Sequence, residues 1–164
     1  KSPGVPGKWA SVVRKEFFVD FDYAVRMKRK TSATSSNAII VWGNYNPLTT
    51  NKEWDDGIYF AYNNSGQYAT WYLFNGTKTM IQEWTEFPDY INEYEWNTLR
   101  VVADMPILTF YINDHYLSDA EYLVDFPYDI MDGWVGIGFE KQDNGIKEPL
   151  LVDWVTLTSY QDSD

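Results

Sequence analysis

The chain has 164 residues, no cysteine, a single histidine and an aromatic content of 18%. This length fits one domain with a sizeable core, and the composition excludes disulfides, thiol nucleophiles and multi-histidine zinc sites and leaves almost nothing for a Ser-His-Asp triad. The formal net charge of −11 opposes contact with nucleic-acid phosphates, and no apolar run reaches the roughly 20 residues of a membrane-spanning helix.

The charge is distributed unevenly along the chain. Residues 1–30 contain eight basic and three acidic side chains, whereas residues 31–164 contain five basic and 21 acidic ones. An acidic surface of this kind favours a neutral ligand. We expect residues 1–8 to be a linker or processed end, residues 9–160 to be a single domain and residues 161–164 to be an acidic tail.

Alternation of apolar and polar residues predicts β-strands along most of the chain. In residues 17–27 the odd positions are apolar and the even ones mostly polar, which indicates a long strand with Phe17, Phe21 and Tyr23 in the core. Eight more segments are rich in β-branched or aromatic residues and are bounded by turn formers: 38–43, 58–63, 68–75, 79–84, 96–103, 107–112, 135–140 and 150–158. Asn-Ser-Gly at 64–66 and Asn-Gly at 75–76 predict hairpin turns. Short helices are considered only at 89–94 and, more weakly, at 114–122. This pattern predicts an all-β sandwich or barrel.

Three segments carry a family resemblance. They are the hairpin WNTLRVVADMPILTFYINDHYLSD (96–119), the tail GWVGIGFEKQDNGIKEPLLVDWVTLTSY (133–160) and the early strand VDFDYAVRMK (19–28). Together they resemble the concanavalin A-like lectin/glucanase and laminin G-like domains. The usual Asn-Gly turn of the hairpin is replaced here by Asn113-Asp114-His115.

This resemblance implies a jelly-roll β-sandwich of two antiparallel sheets, one of them concave and commonly used for carbohydrates. It also implies that the early strand pairs with the tail and that Trp96 belongs to the core. These motifs build the sandwich rather than a site, so they predict the fold better than the function.

A sugar-binding surface needs exposed aromatic rings, which stack on the apolar faces of sugars, beside polar groups that bind hydroxyls. Between residues 42 and 94 the rings alternate on both faces of the predicted strands, so one core face cannot absorb all of them. The sequence does not say which face is the core. The predicted ligand-binding residues are Trp42, Tyr45, Trp54, Tyr59, Trp71, Tyr72, Trp84 and Tyr94.

The sequence gives little support for a pair of catalytic carboxylates. Retaining glycosidases need two carboxyl groups about 5–5.5 Å apart, and the E-x-D-x-x-E motif of glucanases with this fold is absent. Asp20 and Asp22 form a same-face pair without a third acid, and the acids between Glu83 and Glu95 have no regular spacing. His115 is predicted in a hairpin turn. We therefore predict no catalytic residue.

No cofactor is required by this interpretation. Sandwiches of the resembling type often carry a structural calcium that joins the first and last strands, which would involve Glu16 and Asp153. Asp143 and Asn144 lie in a second segment, which is similar to the calcium loop of pentraxins. Calcium prefers such oxygen ligands.

The sequence thus predicts a non-catalytic carbohydrate-binding module for a neutral poly- or oligosaccharide, extracellular or on the cell surface and part of a larger multidomain protein. It predicts no nucleic-acid partner and no membrane insertion. One alternative is a glycoside hydrolase or polysaccharide lyase of the same fold. Another is an adhesion or structural protein-interaction domain.

Overall fold

A computed structural model describes residues 9–30, 33–45, 54–127, 130–140 and 149–160. These residues form eleven strands: β1 (Trp9–Phe18), β2 (Phe21–Lys28), β3 (Asn37–Tyr45), β4 (Trp54–Tyr62), β5 (Gln67–Phe74), β6 (Thr77–Glu86), β7 (Asn97–Asp104), β8 (Ile107–Ile112), β9 (His115–Glu121), β10 (Gly133–Glu140) and β11 (Leu151–Ser159). Within the described ranges, no helix is long and apolar enough to cross a membrane.

The strands form two antiparallel sheets that pack face to face. The six-stranded sheet has the order β1-β10-β3-β4-β5-β6, and the five-stranded sheet has the order β11-β2-β7-β8-β9. The tail strand β11 pairs with β2 along its length, from Leu151 opposite Lys28 to Ser159 opposite Phe21. The predicted all-β jelly-roll sandwich is confirmed, as is the pairing of the early strand with the tail.

Two predictions of secondary structure are wrong, one of a long early strand and one of a short helix. Residues 17–27 do not form one strand, because the chain leaves the six-stranded sheet after Phe18 and enters the five-stranded sheet at Phe21. Phe17 is consequently 67% exposed rather than buried. The segment 114–122, a weak helix candidate in the sequence, contains instead the strand β9 (His115–Glu121), which extends the sheet beside β8.

The core lies between the sheets and is built by alternating positions of the inner strands. In β2 the buried apolar residues include Phe21, Tyr23 and Val25, and in β8 they include Phe110. Trp96 was predicted in this core but lies half-buried outside it. The Arg26 guanidinium lies 5.5 Å and the Lys28 ammonium 4.8 Å from the centroid of its ring, so the cations cover a ring on the outer face of the five-stranded sheet.

Two hairpins turn through residues with positive φ. Asn75 and Gly76 have φ of 49° and 72°, and Asn113 and Asp114 have φ of 48° and 65°. Both pairs match the two-residue turn that favours Asn-Gly. The Asn-Asp departure in the β8–β9 turn therefore preserves the hairpin, at the cost of placing an aspartate in the left-handed region.

Restoring glycine in this turn should stabilise the protein. We expect Asp114→Gly to raise the free energy of unfolding by about 0.5 kcal/mol, because glycine adopts positive φ without strain. Gly76→Ala, which introduces the opposite strain, should lower it by about 1 kcal/mol. Urea unfolding of both variants measures the two changes, and a destabilised Asp114→Gly protein would contradict the interpretation.

Buried tyrosines predict a loss of stability at alkaline pH. Burial raises the pKa of Tyr23 and of Tyr62 well above their ordinary value of 10.0. Unfolded tyrosines ionise near pH 10 while these two stay protonated in the folded protein, so stability is intact below pH 10 and falls above it. We expect a loss of about 1.4 kcal/mol per pH unit from each tyrosine. Urea unfolding at pH 8, 10 and 11 tests this, and Tyr23→Phe should reduce the slope by about half.

Candidate functional site

A second cluster of apolar side chains lies outside the sandwich core, on the outer face of the six-stranded sheet. Its buried members are Ala38, Ile40, Trp54, Tyr59, Ala61, Ala69 and Trp71, and the half-buried residues packed against it include Trp9, Trp84 and Trp134. On β4 and β5 these residues alternate with core residues such as Phe60 and Tyr68. Six aromatic rings thus gather on the side of the sheet that faces away from the other sheet. We call this set of residues the ring face.

A stacked pair of rings forms the centre of the ring face. Tyr59 on β4 and Trp71 on β5 are opposite each other in the strand register, and their rings lie 5.2 Å apart at an angle of 13°. Trp9 contacts both rings, at 5.3 Å from Tyr59 and 5.9 Å from Trp71. Trp84 borders Trp71 at 6.3 Å. Tyr59 and Trp71 are each only 2% exposed as a result.

Small residues in the neighbouring strands make room for the large rings. An added Cβ at Gly138 of β10 would lie 3.1 Å from Trp9 Cε3, and one at Gly136 would lie 2.8 Å from Trp54 Cζ2. A Cβ at Gly43 of β3 would overlap the Trp54 ring. The Trp54 indole N–H donates to Ser11 Oγ at 2.9 Å. The alternating glycines of β10, a fold marker in the sequence, therefore form a floor on which Trp9 and Trp54 lie.

Two lysines lie over rings of the ring face. The Lys78 ammonium is 4.1 Å from the centroid of the Trp71 ring, and the Lys15 ammonium is 5.6 Å from that of Trp134. Phe17 also contacts Trp134, edge to face at 6.3 Å. The face thus combines aromatic surface with hydrogen-bond donors, the combination that sugar hydroxyls and sugar ring faces require.

The predicted ligand residue Trp42 lies in the sandwich core and not on the ring face. It is 1% exposed, its indole N–H donates to the carbonyl of Val19 at 3.0 Å, and its ring contacts Phe21 and Phe126. A fully covered ring offers no surface to a ligand. We therefore leave Trp42 out of the site.

A bulge in β3 explains the position of Trp42. Ala38 and Ile40 point to the ring face, so strict alternation would place residue 42 there as well. The register with β4 shifts between Val41 and Asn44, and Trp42 has a φ of 49°. This bulge turns the tryptophan to the opposite face of the sheet.

Three other predicted rings also lie away from the ring face or outside the description. Tyr72 alternates with Trp71 and packs, half-buried, against the sandwich core. Tyr94 is exposed in the β6–β7 connection, and its backbone N–H donates to Asn64 Oδ1 at 3.3 Å. The side chain of Tyr45 lies outside the described residues. The structure therefore brings together Trp54, Tyr59, Trp71 and Trp84 from the predicted set.

Sequence reasoning missed two rings of this face, Trp9 and Trp134. Trp9 lies on β1, where half of residues 9–16 are polar or charged and the apolar residues do not alternate clearly. Trp134 directly follows the Gly133 that starts β10, in a segment whose pattern predicts the fold and not a site. The glycines at 136 and 138 were the usable signal, because small residues on one face of a strand leave space for large neighbours.

The candidate carboxylates take part in structural contacts. Asp22 accepts two hydrogen bonds from Arg100, at 2.8 and 2.6 Å, and Asp20 Oδ1 accepts one from the Met105 N–H at 2.9 Å. His115 lies exposed at the start of β9, with its ring 4.0 Å from that of Tyr90. None of these groups lies among the residues that form the ring face.

The two residues suggested for calcium each pair with a cation. Glu16 on β1 lies 2.7 Å from Arg14, and Asp153 on β11 lies 3.1 Å from Arg26. In the described part of the chain, no group of three or more His, Asp or Glu could hold a metal ion. Asp143 and Asn144 lie outside the described residues. Calcium binding remains a prediction.

Solved structures with the same architecture include sugar-binding and sugar-cleaving proteins. A carbohydrate-binding module, CBM66 from Bacillus subtilis, superposes with a TM-score of 0.71 at 15% identity, covering 94% of this chain and 84% of its own. A Bacillus licheniformis beta-glucanase gives a TM-score of 0.64 at 14% identity over 88% and 69% of the two chains. The Caenorhabditis elegans galectin LEC-6 gives 0.58 at 13% identity over 95% and 92%. The chain has the concanavalin A-like fold.

At these identities the likeness establishes the concanavalin A-like fold alone. No protein-family model and no curated protein matches the sequence. The fold fits sugar binding, and it is shared by modules that bind and enzymes that cleave. The function of this chain therefore has to be argued from the ring face.

Proposed function

We propose that this protein binds a poly- or oligosaccharide on the ring face without cleaving it. The observation that carries the proposal is the gathering of six aromatic rings on the outer side of the six-stranded sheet, away from the core that the two sheets share. No second sheet covers this face in the described part of the chain, and a large aromatic cluster on such a face is typical of a ligand site. Trp9, Trp84 and Trp134 are half-buried and keep part of their surface in solvent.

Binding combines stacking with hydrogen bonds in this proposal. The apolar face of a sugar ring stacks on Trp84 and Trp134, while Trp54, Tyr59 and Trp71 support them from below. The whole-chain charge of −11 favours a neutral sugar. The proposed setting is extracellular, as part of a larger multidomain protein.

The described residues that form the ring face include no carboxylate pair, which favours binding over catalysis in this proposal. Asp20 and Asp22, the nearest same-face pair in the sequence, are held by Met105 and Arg100 on the five-stranded side of the sandwich. A retaining mechanism needs two free carboxyl groups facing one sugar.

The test is calorimetric titration against laminarin, β-1,3-1,4-glucan, xylan, levan and N-acetyllactosamine, with polygalacturonate as an acidic comparison. We expect binding to at least one neutral sugar and no release of reducing ends during a long incubation. Binding to none of them would contradict the proposal, and release of reducing ends would show a hydrolase or lyase instead.

A further inference from the structure

The stacked rings of Tyr59 and Trp71 are shielded from solvent, and Trp9 is a ring that contacts and covers both of them. Each ring of the pair is 2% exposed, although both point away from the sandwich core. Trp9 lies across them, edge to face on Tyr59 at 71° and tilted on Trp71 at 60°. The Lys78 ammonium, on the neighbouring strand β6, lies 4.1 Å from the centroid of the Trp71 ring. A sugar reaches neither ring of the pair while Trp9 remains in place.

Trp9 reaches the pair from the far edge of the sheet. It belongs to β1, whereas Tyr59 and Trp71 belong to β4 and β5, with β10 and β3 between them. Three strand spacings amount to about 14 Å. The Trp9 indole crosses part of this distance over Gly138, where an added Cβ would lie 3.1 Å from its Cε3. Its position therefore depends on the contacts with that glycine and with the two rings.

Trp9 also lies on a strand at the edge of the described sheet. Among the described strands β1 lies at the edge of its sheet and pairs with β10, where Trp9 is opposite Glu140. An edge strand is held by fewer ladder hydrogen bonds than an inner strand, so it opens at a lower cost. Tyr59 and Trp71 lie on inner strands that are paired on both sides. Trp9 can therefore leave while the stacked pair stays fixed.

The Glu140 side of this pair is anchored. The Glu140 carbonyl accepts a hydrogen bond of 2.6 Å from the buried Arg29, and its carboxylate accepts bonds from the Ser36 N–H at 3.4 Å and hydroxyl at 3.3 Å. The end of β10 is thus tied to the body of the protein. Opening at this point moves β1 rather than β10.

We propose that the Tyr59–Trp71 stack is a sugar subsite that Trp9 occupies in the free protein, and that a bound sugar ring displaces Trp9. This inference rests on the proposed function. An indole and the C–H face of a sugar compete for the same aromatic surface. In the free protein Trp9 keeps a large aromatic patch out of water. The competition lowers the apparent affinity by the fraction of molecules in which the subsite is open.

The test compares wild-type protein with Trp9→Ala and Trp9→Leu against the same six carbohydrates. We expect both variants to bind at least one of them about tenfold more tightly than wild type, or to bind one that wild type does not. Trp134→Ala is the comparison variant, because it removes a half-buried ring of the same face that does not cover the stack. Since Trp134 contacts the sugar in the proposed function, this variant should weaken binding rather than strengthen it. Far-UV circular dichroism verifies that each variant is folded.

Each outcome separates this inference from the proposed function. Weaker binding by the Trp9 variants would make Trp9 a contact ring, and unchanged binding would show no competition; either result overturns the inference and leaves sugar binding intact. Failure of every protein to bind overturns both. Amide exchange in wild-type protein gives a check without a variant: a bound sugar should speed exchange at residues 9–11, and protection there would overturn the displacement.

Discussion

Trp84→Ala should weaken sugar binding by about 30-fold. Trp84 is the half-buried ring that borders the stacked pair, 6.3 Å from Trp71, and it offers its remaining surface to the ligand. Truncating a central tryptophan of a binding surface costs about 2 kcal/mol, which corresponds to about 30-fold in Kd. Titration of the variant with the sugar that binds wild-type protein most tightly measures this loss.

Trp154→Ala is the matched control for that experiment. Trp154 is 38% exposed on β11, the edge strand of the other sheet. The substitution removes a tryptophan that is at least as exposed as Trp84, from a face that has no role in the proposed function. Equal losses of affinity in the two variants would place the ligand somewhere other than the ring face.

Trp42→Ala should destabilise the protein by about 3–5 kcal/mol, because it empties a large volume between the two sheets. Its ring contacts Phe21 and Phe126, and its N–H is satisfied by the Val19 carbonyl. A loss of this size is a large part of the stability of a domain. Urea unfolding followed by fluorescence measures it, with Trp154→Ala expected to change stability by less than about 1 kcal/mol.

The milder change Trp42→Phe keeps a ring in the core and separates stability from binding. We expect it to lower the free energy of unfolding while leaving the Kd for sugar within about twofold of wild type. A protein that remains fully stable but loses sugar binding would show that Trp42 contacts the ligand after all, as its sequence position first indicated.

The strand pattern was predictable because alternation reports which residues share a face. It located β3 to β8, β10 and β11 to within a few residues, and the tail pairing followed from the family resemblance. Alternation also placed Tyr59 on the other face of its strand from Ile58 and Phe60, and Trp71 on the other face from Tyr72. Alternation alone does not say which face meets the other sheet, so Tyr72 and Trp71 were equal candidates until the sheets were seen to pack.

The errors came from places where the chain departs from regular alternation. The bulge at Trp42 turns the tryptophan side chain to the other face of the sheet, and no residue type in this segment predicts a bulge. The chain crosses from one sheet to the other at Val19 and Asp20, but the alternation of apolar residues continues through this crossing. The pattern therefore predicted that Phe17 is buried. Among the described strands β1 lies at a sheet edge and is largely exposed, so it lacks the apolar period of a buried strand and its sequence gives no signal for Trp9.

The most direct measurement is a ¹H–¹⁵N correlation spectrum, covering amide and indole N–H groups, of the ¹⁵N-labelled protein during titration with a sugar that the protein binds. The eight tryptophans provide eight indole N–H signals as reporters on the two faces, the core and the edges. We predict that the signals of Trp9, Trp84 and Trp134 shift most, while those of Trp42 in the core and Trp154 on the other sheet stay in place. Shifts confined to Trp154 and Trp96, with the ring face unchanged, would contradict a sugar site on the six-stranded sheet.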